Sequence, residues 1–327
     1  MNPVQFCHKA TGVARNLAHL DRGPPEAVVV LTGMPRSGTT WLGGVLQQAS
    51  GWRSLFEPLF PRYVRASVPF GYFPYRDAAS TDAELRRFLS RVLRGKLRGR
   101  WVDRDNARFV FRGRIVKEVR WNFLLGWVQA HWPSVPLILI VRRPMPVLRS
   151  WQTLGWLKDA QLARQAFALP HLLQDKRFKA TWPRLAGRLL EAGQSNDPLL
   201  SFALQWHLSM ALPLSQLPDQ AYRIAGYEAL TRDPAELGPL LDFARLPAPA
   251  RPLAELAGRR SSTDFGTRAA QSAKRAPEPG PEAKAAFVRA TECLDVGGAA
   301  QAEAFLEEPL SAWQAFDATA WTERWRG

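Results

Sequence analysis

Only two cysteines, Cys7 and Cys293, occur in 327 residues. That excludes a disulfide framework and favours a reducing compartment. Long apolar runs are missing as well. No stretch reaches the roughly 18 consecutive apolar residues of a membrane-crossing helix. Residues Met1–Arg22 mix polar and charged side chains and lack the apolar segment of a secretory signal. The expected location is therefore cytoplasmic. Beyond the N-terminal region histidine occurs only at His131, His171 and His207, in no metal-ligand spacing, so no metal is expected. Acidic residues are outnumbered 29 to 44 by Lys and Arg, leaving a net charge of +15. Such a chain draws anionic ligands, from nucleotides and sulfate esters to acidic glycans, nucleic acid and anionic lipid surfaces. The charge alone does not choose among them. Peripheral association with anionic surfaces stays open; no specific nucleic acid is expected.

What is present is enough apolar material, 46% of residues, to bury a substantial core. Ala27–Thr32 (AVVVLT), Arg114–Val119 (RIVKEV), Leu137–Val141 (LILIV) and Tyr222–Gly226 read as short buried strands. Ser54–Leu59 reads as a further strand or a loop. Helices are expected over Thr39–Ala49, Phe123–His131, Pro144–Leu154 and Leu199–Leu212, and one capped by Asp82 with Leu85, Phe88, Leu89, Val92 and Leu93 inward. Another starts at Asp233-Pro234. Pro61–Ser80 and Gly95–Arg108 read as irregular, and Gln161–Asn196 as irregularly helical. Glu282–Trp325 reads as helical and amphipathic. Strands alternating with helices imply a three-layer α/β fold around a central parallel sheet. The expected organisation is a single domain over 1–327, with an α/β core over about 27–245 and a helical C-terminal segment over about 253–327.

After the first strand comes Gly33-Met34-Pro35-Arg36-Ser37-Gly38-Thr39-Thr40-Trp41. The frame is that of a P-loop, with Thr39 where the lysine belongs. The two glycines let backbone N–H groups turn inward. The helix N-terminus adds its positive end, and Arg36 adds a fixed cation. The missing lysine argues against a kinase or NTPase. So does the end of LILIV, which runs into Arg142-Arg143-Pro144 with no Mg²⁺-ligating acid. Arg142 stands at a strand end, where open α/β sheets bind ligands, and Ser150 lies on the helix that follows.

Pro35–Trp41 resembles the 5′-phosphosulfate loop of sulfotransferases, and Arg142-x-Pro144-x5-Ser150 resembles their 3′-phosphate motif. The likeness runs from about Ala27 to Arg232. It implies 3′-phosphoadenosine-5′-phosphosulfate (PAPS) as donor, with Arg36, Ser37, Gly38, Thr39, Thr40 and Trp41 on the 5′ side and Arg142 and Ser150 on the 3′ side. Arg143 departs from the family, which often has Asp there. Glu57 is similar in position to the catalytic base of the carbohydrate and tyrosyl-protein branches, and Arg36 also fits those branches better than the cytosolic small-molecule one. Lys117 resembles the strand lysine that contacts the sulfuryl group. Glu118 is a rival base, on the opposite strand face. Tyr227-Glu228-Ala229-Leu230 resembles a structural segment of the family. Arg260 and Ser261 resemble a late segment that closes over the nucleotide. The acceptor expected is a small molecule or glycan hydroxyl, best an acidic glycan or a glycolipid. Against this reading stand a P-loop kinase and a non-catalytic binder of acidic polymers, the latter supported by the Arg86–Arg100 stretch.

Overall fold

The computed structural model describes residues 19–258 and 278–326. A short ladder joins β1 (Leu20–Asp21) to β4 (Val110–Phe111). The main sheet holds β2 (Val28–Gly33), β3 (Arg53–Phe56), β5 (Arg114–Glu118), β6 (Leu137–Val141) and β7 (Tyr222–Gly226). Its order is β3-β5-β2-β6-β7, and every neighbouring pair is parallel.

Alternation along the strands feeds two separate cores. Val28, Val30, Val116, Leu137 and Leu139 face one helical layer; Val29, Leu31, Ile115, Ile138 and Ile140 face the other. Burial on both faces is why β2 and β6 read as near-continuous apolar runs. The first layer contains helices Ala83–Leu93, Leu125–His131, Pro144–Thr153 and Pro198–Leu214. The second contains Thr39–Ser50, Leu237–Phe243 and Leu253–Ala257. The three-layer expectation holds, and the ambiguous segment after the first helix begins as a buried strand, β3.

The chain leaves β2 through the second layer to reach β3, and leaves β5 through the first layer to reach β6. Because β2 lies between β5 and β6, the connections diverge around its C-terminal end. That is the topological switch point at which doubly wound sheets open a ligand crevice.

Helix starts follow local chemistry. The Asp82 carboxylate accepts from the Leu85 N–H at 2.9 Å. The irregularly helical stretch divides into Ala160–Ala166, Leu169–Gln174, Lys176–Thr181 and Pro183–Gly193. Asp159 and Asp175 cap two of these, and Pro183 opens the last. The C-terminal segment likewise divides, into Pro281–Cys293, Ala299–Glu307, Pro309–Gln314 and Ala318–Trp325. Its first helix packs on Pro198–Leu214. There the fully buried His207 bonds Thr291 Oγ1 at 3.0 Å, and burial pushes its pKa down to about 3.

Candidate functional site

At the C-terminal end of β2 the loop closes tightly. A Cβ on Gly33 would stand 2.4 Å from the Ile140 carbonyl oxygen of the next strand. Gly38 has φ +97°, and a Cβ there would meet the Tyr227 ring at 2.4 Å. Both positions therefore require glycine. Arg36 is also left-handed, at φ 75°, an uncommon and costly state for a residue with a side chain. The loop's carbonyls are tied back. Trp151 Nε1 donates to Pro35 O at 3.0 Å, and an Arg142 Nη donates to Arg36 O at 3.3 Å. The following helix, Thr39–Ser50, has no side-chain cap. Its first N–H groups have no intrahelical acceptor, and its positive dipole end faces the same space. This is a built anion cradle.

The sequence-predicted partners of this cradle arrive from β6 and its helix. Arg36 Nε donates to Ser150 Oγ at 2.8 Å across 114 positions of sequence. The Arg142 guanidinium lies 4.3 Å from the Tyr227 ring centre, held over an aromatic face. Its backbone oxygen accepts from Trp206 Nε1 at 3.1 Å. Trp41 packs edge-on against Tyr227 at 5.4 Å and donates to Ala257 O. Ser37 and Thr39 are buried and Thr40 is half-buried. Arg143, without an assigned role in the sequence, is committed elsewhere: its N–H bonds Glu228, and its guanidinium pairs with Glu228 and Glu307 at 3.7 and 3.5 Å. Tyr227 and Glu228 thus brace the site. Arg260 and Ser261 lie outside the described residues.

Two strands over from β2, Glu57 follows β3 with φ 42°, its N–H fixed to Lys117 O at 2.8 Å. Lys117 Nζ bonds Glu57 Oε1 at 2.6 Å, and an Arg120 Nη bonds Oε2 at 3.0 Å. Burial pushes the Glu57 carboxyl up, but the two cations outweigh it and hold the group down at about 2. Lys117 also sits 4.3 Å over the Phe56 ring, and Arg120 3.8 Å over Phe60. Register places Lys117 opposite Leu31 of β2. A Cβ on Gly43, in the helix that leaves the loop, would stand 3.6 Å from Lys117 Cγ. The Glu57–Lys117 pair therefore stands beside the cradle.

Glu118 points the other way. It is fully buried, and its oxygens accept the N–H groups of Leu59, Val119 and Arg120. Burial holds its carboxyl up at about 7, against the pull of Arg120 and these amides. Its bond to Leu59 clamps the turn that carries Glu57. Arg120 is the member of the site that sequence reasoning missed. Its signal was its place, just past β5 at the C-terminal edge of the sheet, where ligands bind.

Searched against known proteins, the chain matches no family model and no curated protein. Solved structures similar to it are sulfotransferases. The sulfotransferase domain from the curacin biosynthetic pathway is 17% identical, with 84% of this chain and 99% of that one covered and a TM-score of 0.43. The Alicyclobacillus acidocaldarius sulfotransferase is 17% identical over 88% and 98% of the two chains, at 0.40. Mouse sulfotransferase SULT7A1, solved in complex with PAP, is 14% identical over 92% and 93%, at 0.41.

Proposed function

We propose that this chain is a PAPS-dependent sulfotransferase that moves a sulfuryl group to an acceptor hydroxyl, in a single domain of the carbohydrate and tyrosyl-protein type. The observation that carries the reading is the bond from Arg36 to Ser150, with Arg142 donating to the same loop. It joins a 5′-type anion loop to a second anion-binding pair in one site. A nucleotide phosphorylated at both its 5′ and 3′ positions has the charge pattern this demands. The donor groups fit it: loop amides, Arg36 and Thr40 for the 5′ side, Arg142 and Ser150 for the 3′ side. PAPS supplies the activated sulfuryl group.

The chain's own residues divide the remaining work. Glu57 takes the acceptor proton as the acceptor oxygen bonds to sulfur and the bond from sulfur to the phosphate oxygen breaks. Arg36 and Lys117 steady the charge that collects on the departing phosphate. Held at about 2, Glu57 is ionised but a weak base. Turning Lys117 from Glu57 to the donor's phosphate leaves the carboxylate with Arg120 alone and raises its proton affinity. Base strength and donor binding are thereby coupled.

The test is calorimetric titration with 3′-phosphoadenosine 5′-phosphate (PAP), paired with transfer from radiolabelled PAPS to an acceptor panel. Glu57→Gln keeps nucleotide affinity and loses turnover. Absence of both PAP binding and transfer in the wild-type chain refutes the proposal. Full activity in Glu57→Gln refutes the base.

A further inference from the structure

Around Trp101 and Val102, which touch Phe56 next to Glu57, lies a cavity of about 690 Å³ that the transfer chemistry does not use. Its lining includes Tyr63, Trp101, Arg65, Arg98, Arg100 and Arg104, and no carboxylate. Resting on the transfer reading above, we infer that this cavity seats the acceptor, and that the acceptor is a saccharide already carrying a carboxylate or sulfate group.

Both walls of the cavity grow out of the Glu57 turn. Phe56, just before Glu57, donates its N–H to Val102 O at 2.8 Å, which draws the 97–104 wall onto the end of β3. On the other side the turn continues through Phe60, whose N–H bonds Glu57 O, to Val64, whose N–H bonds Phe60 O. Trp101 touches Phe56 and Phe60 edge-on at 5.2 and 5.6 Å. The same two rings carry Lys117 and Arg120 on their faces. One aromatic seam therefore runs from the base to the cavity.

The far end of that seam is flat and cationic. Tyr63 and Trp101 stack at 4.0 Å with their planes 15° apart, and Tyr63 remains 49% exposed. The Arg104 guanidinium lies 4.8 Å from the Trp101 centre. Among the described residues no carboxylate pairs with Arg65 or Arg100. The nearby Asp103 is fully buried and spent on Arg53, at 2.8 Å, and on the N–H of Gly99. Arg53 in turn donates to Gly95 O and Leu97 O. The basic wall is thus fixed to β3 from within; Arg104 lies over the Phe56 and Trp101 rings and pairs with Asp105 at 3.9 Å, while Arg65 and Arg100 are exposed. Planar guanidiniums bind carboxylate and sulfate oxygens in pairs. A pyranose ring offers C–H faces to an aromatic plane and hydroxyls at its edge. A ring anchored there by its anionic group reaches toward Glu57 with a hydroxyl. Volumes of this size suit ligands beyond one ring.

The experiment is calorimetric titration of the full chain, without PAPS, with a hyaluronan hexasaccharide, its carboxyl-reduced form, a sulfated hexasaccharide and a single-stranded oligonucleotide of similar charge. PAP affinity is measured on the same preparation. An acidic saccharide binds, and the carboxyl-reduced form binds at least about tenfold more weakly, the scale of losing a charged hydrogen bond. Arg65→Ala with Arg100→Ala, and separately Trp101→Ala, weaken that binding by about tenfold and leave PAP affinity unchanged. In turnover they raise the acceptor KM and spare kcat. The inference is overturned if neither acidic saccharide binds, if the neutral form binds equally, if the oligonucleotide binds as tightly, or if the variants change nothing. PAP binding without saccharide binding sinks the cavity assignment and spares the transfer reading. Saccharide binding without PAP binding does the reverse.

Discussion

Glu57 and Lys117 form a nearly dry ion pair, 2.6 Å apart with side chains 12% and 3% exposed. That geometry makes a double-mutant cycle informative. Glu57→Gln strands the Lys117 charge and should cost about 3–5 kcal/mol, as for a broken buried pair. Lys117→Met should cost less, because Arg120 still pairs with Glu57 at 3.0 Å. The double variant should cost less than their sum by about 2–3 kcal/mol, as coupled neighbours do. The pH axis gives a second reading of the same pair. The Glu57 carboxyl is held at about 2 against an ordinary 4.5. Its folded-state pKa is lowered, so the stability it contributes is full above 4.5 and is lost as pH falls toward 2. Linkage puts that contribution near ~3 kcal/mol at neutral pH, with about 2 kcal/mol of it gone by pH 3. Urea unfolding of wild type and Glu57→Gln at pH 7, 5 and 3 isolates the effect between pH 5 and 3, because carboxylates remote from Glu57 cancel and Glu118, held up at about 7, is protonated across that interval. Wild type should lose more than Glu57→Gln between pH 5 and 3. Strict additivity in the cycle, or parallel pH profiles for the two proteins, would refute the reasoning.

Four further outcomes are expected. Arg142→Ala should weaken PAP binding by about tenfold to a hundredfold, the effect of losing a charge-assisted bond, while unfolding free energy changes little; calorimetry and urea melts separate the two. Gly38→Ala should cost about 2 kcal/mol or more, combining a left-handed backbone with a Cβ 2.4 Å from Tyr227. Gly44→Ala, in the same helix with open space around it, should instead stabilise by about 0.5–1 kcal/mol. His207 is kept neutral at about 3, so the unfolded chain binds its proton first and stability falls as pH drops below 6.5. Wild type should lose about 2 kcal/mol more than His207→Asn between pH 7 and 5, read by urea unfolding at the two values.

The central strands β2 and β6 were legible because burial on both sheet faces favours apolar residues throughout. Val28–Gly33 and Leu137–Val141 match the expected runs closely. The loop and its partners were legible too, since glycine spacing and an Arg–Ser pair are local patterns. Less legible was whatever depends on contacts far apart in sequence. Nothing local in Arg120 says that its guanidinium crosses to a carboxylate 63 positions earlier. The separate helices within 160–193 escaped notice because each is only about two or three turns long, too short for a periodicity to build up. Their Asp caps were nonetheless in plain sight. The cavity around Trp101 was invisible for a different reason: Gly95–Arg108 has no periodic pattern, and its shape comes from Arg53 beneath it.

The tied-back carbonyls at Pro35 and Arg36 bear on nucleotide selectivity under the proposed function. Adenine nucleotides without a 3′-phosphate share the adenine, the ribose and the 5′ charge of PAPS. On the proposed reading, a nucleotide lacking its 3′-phosphate forfeits the contacts to Arg142 and Ser150, and these two residues also hold Arg36 through its carbonyl and its side chain. Selectivity for the doubly phosphorylated nucleotide would then draw on the 5′ loop as well as on the 3′ contacts.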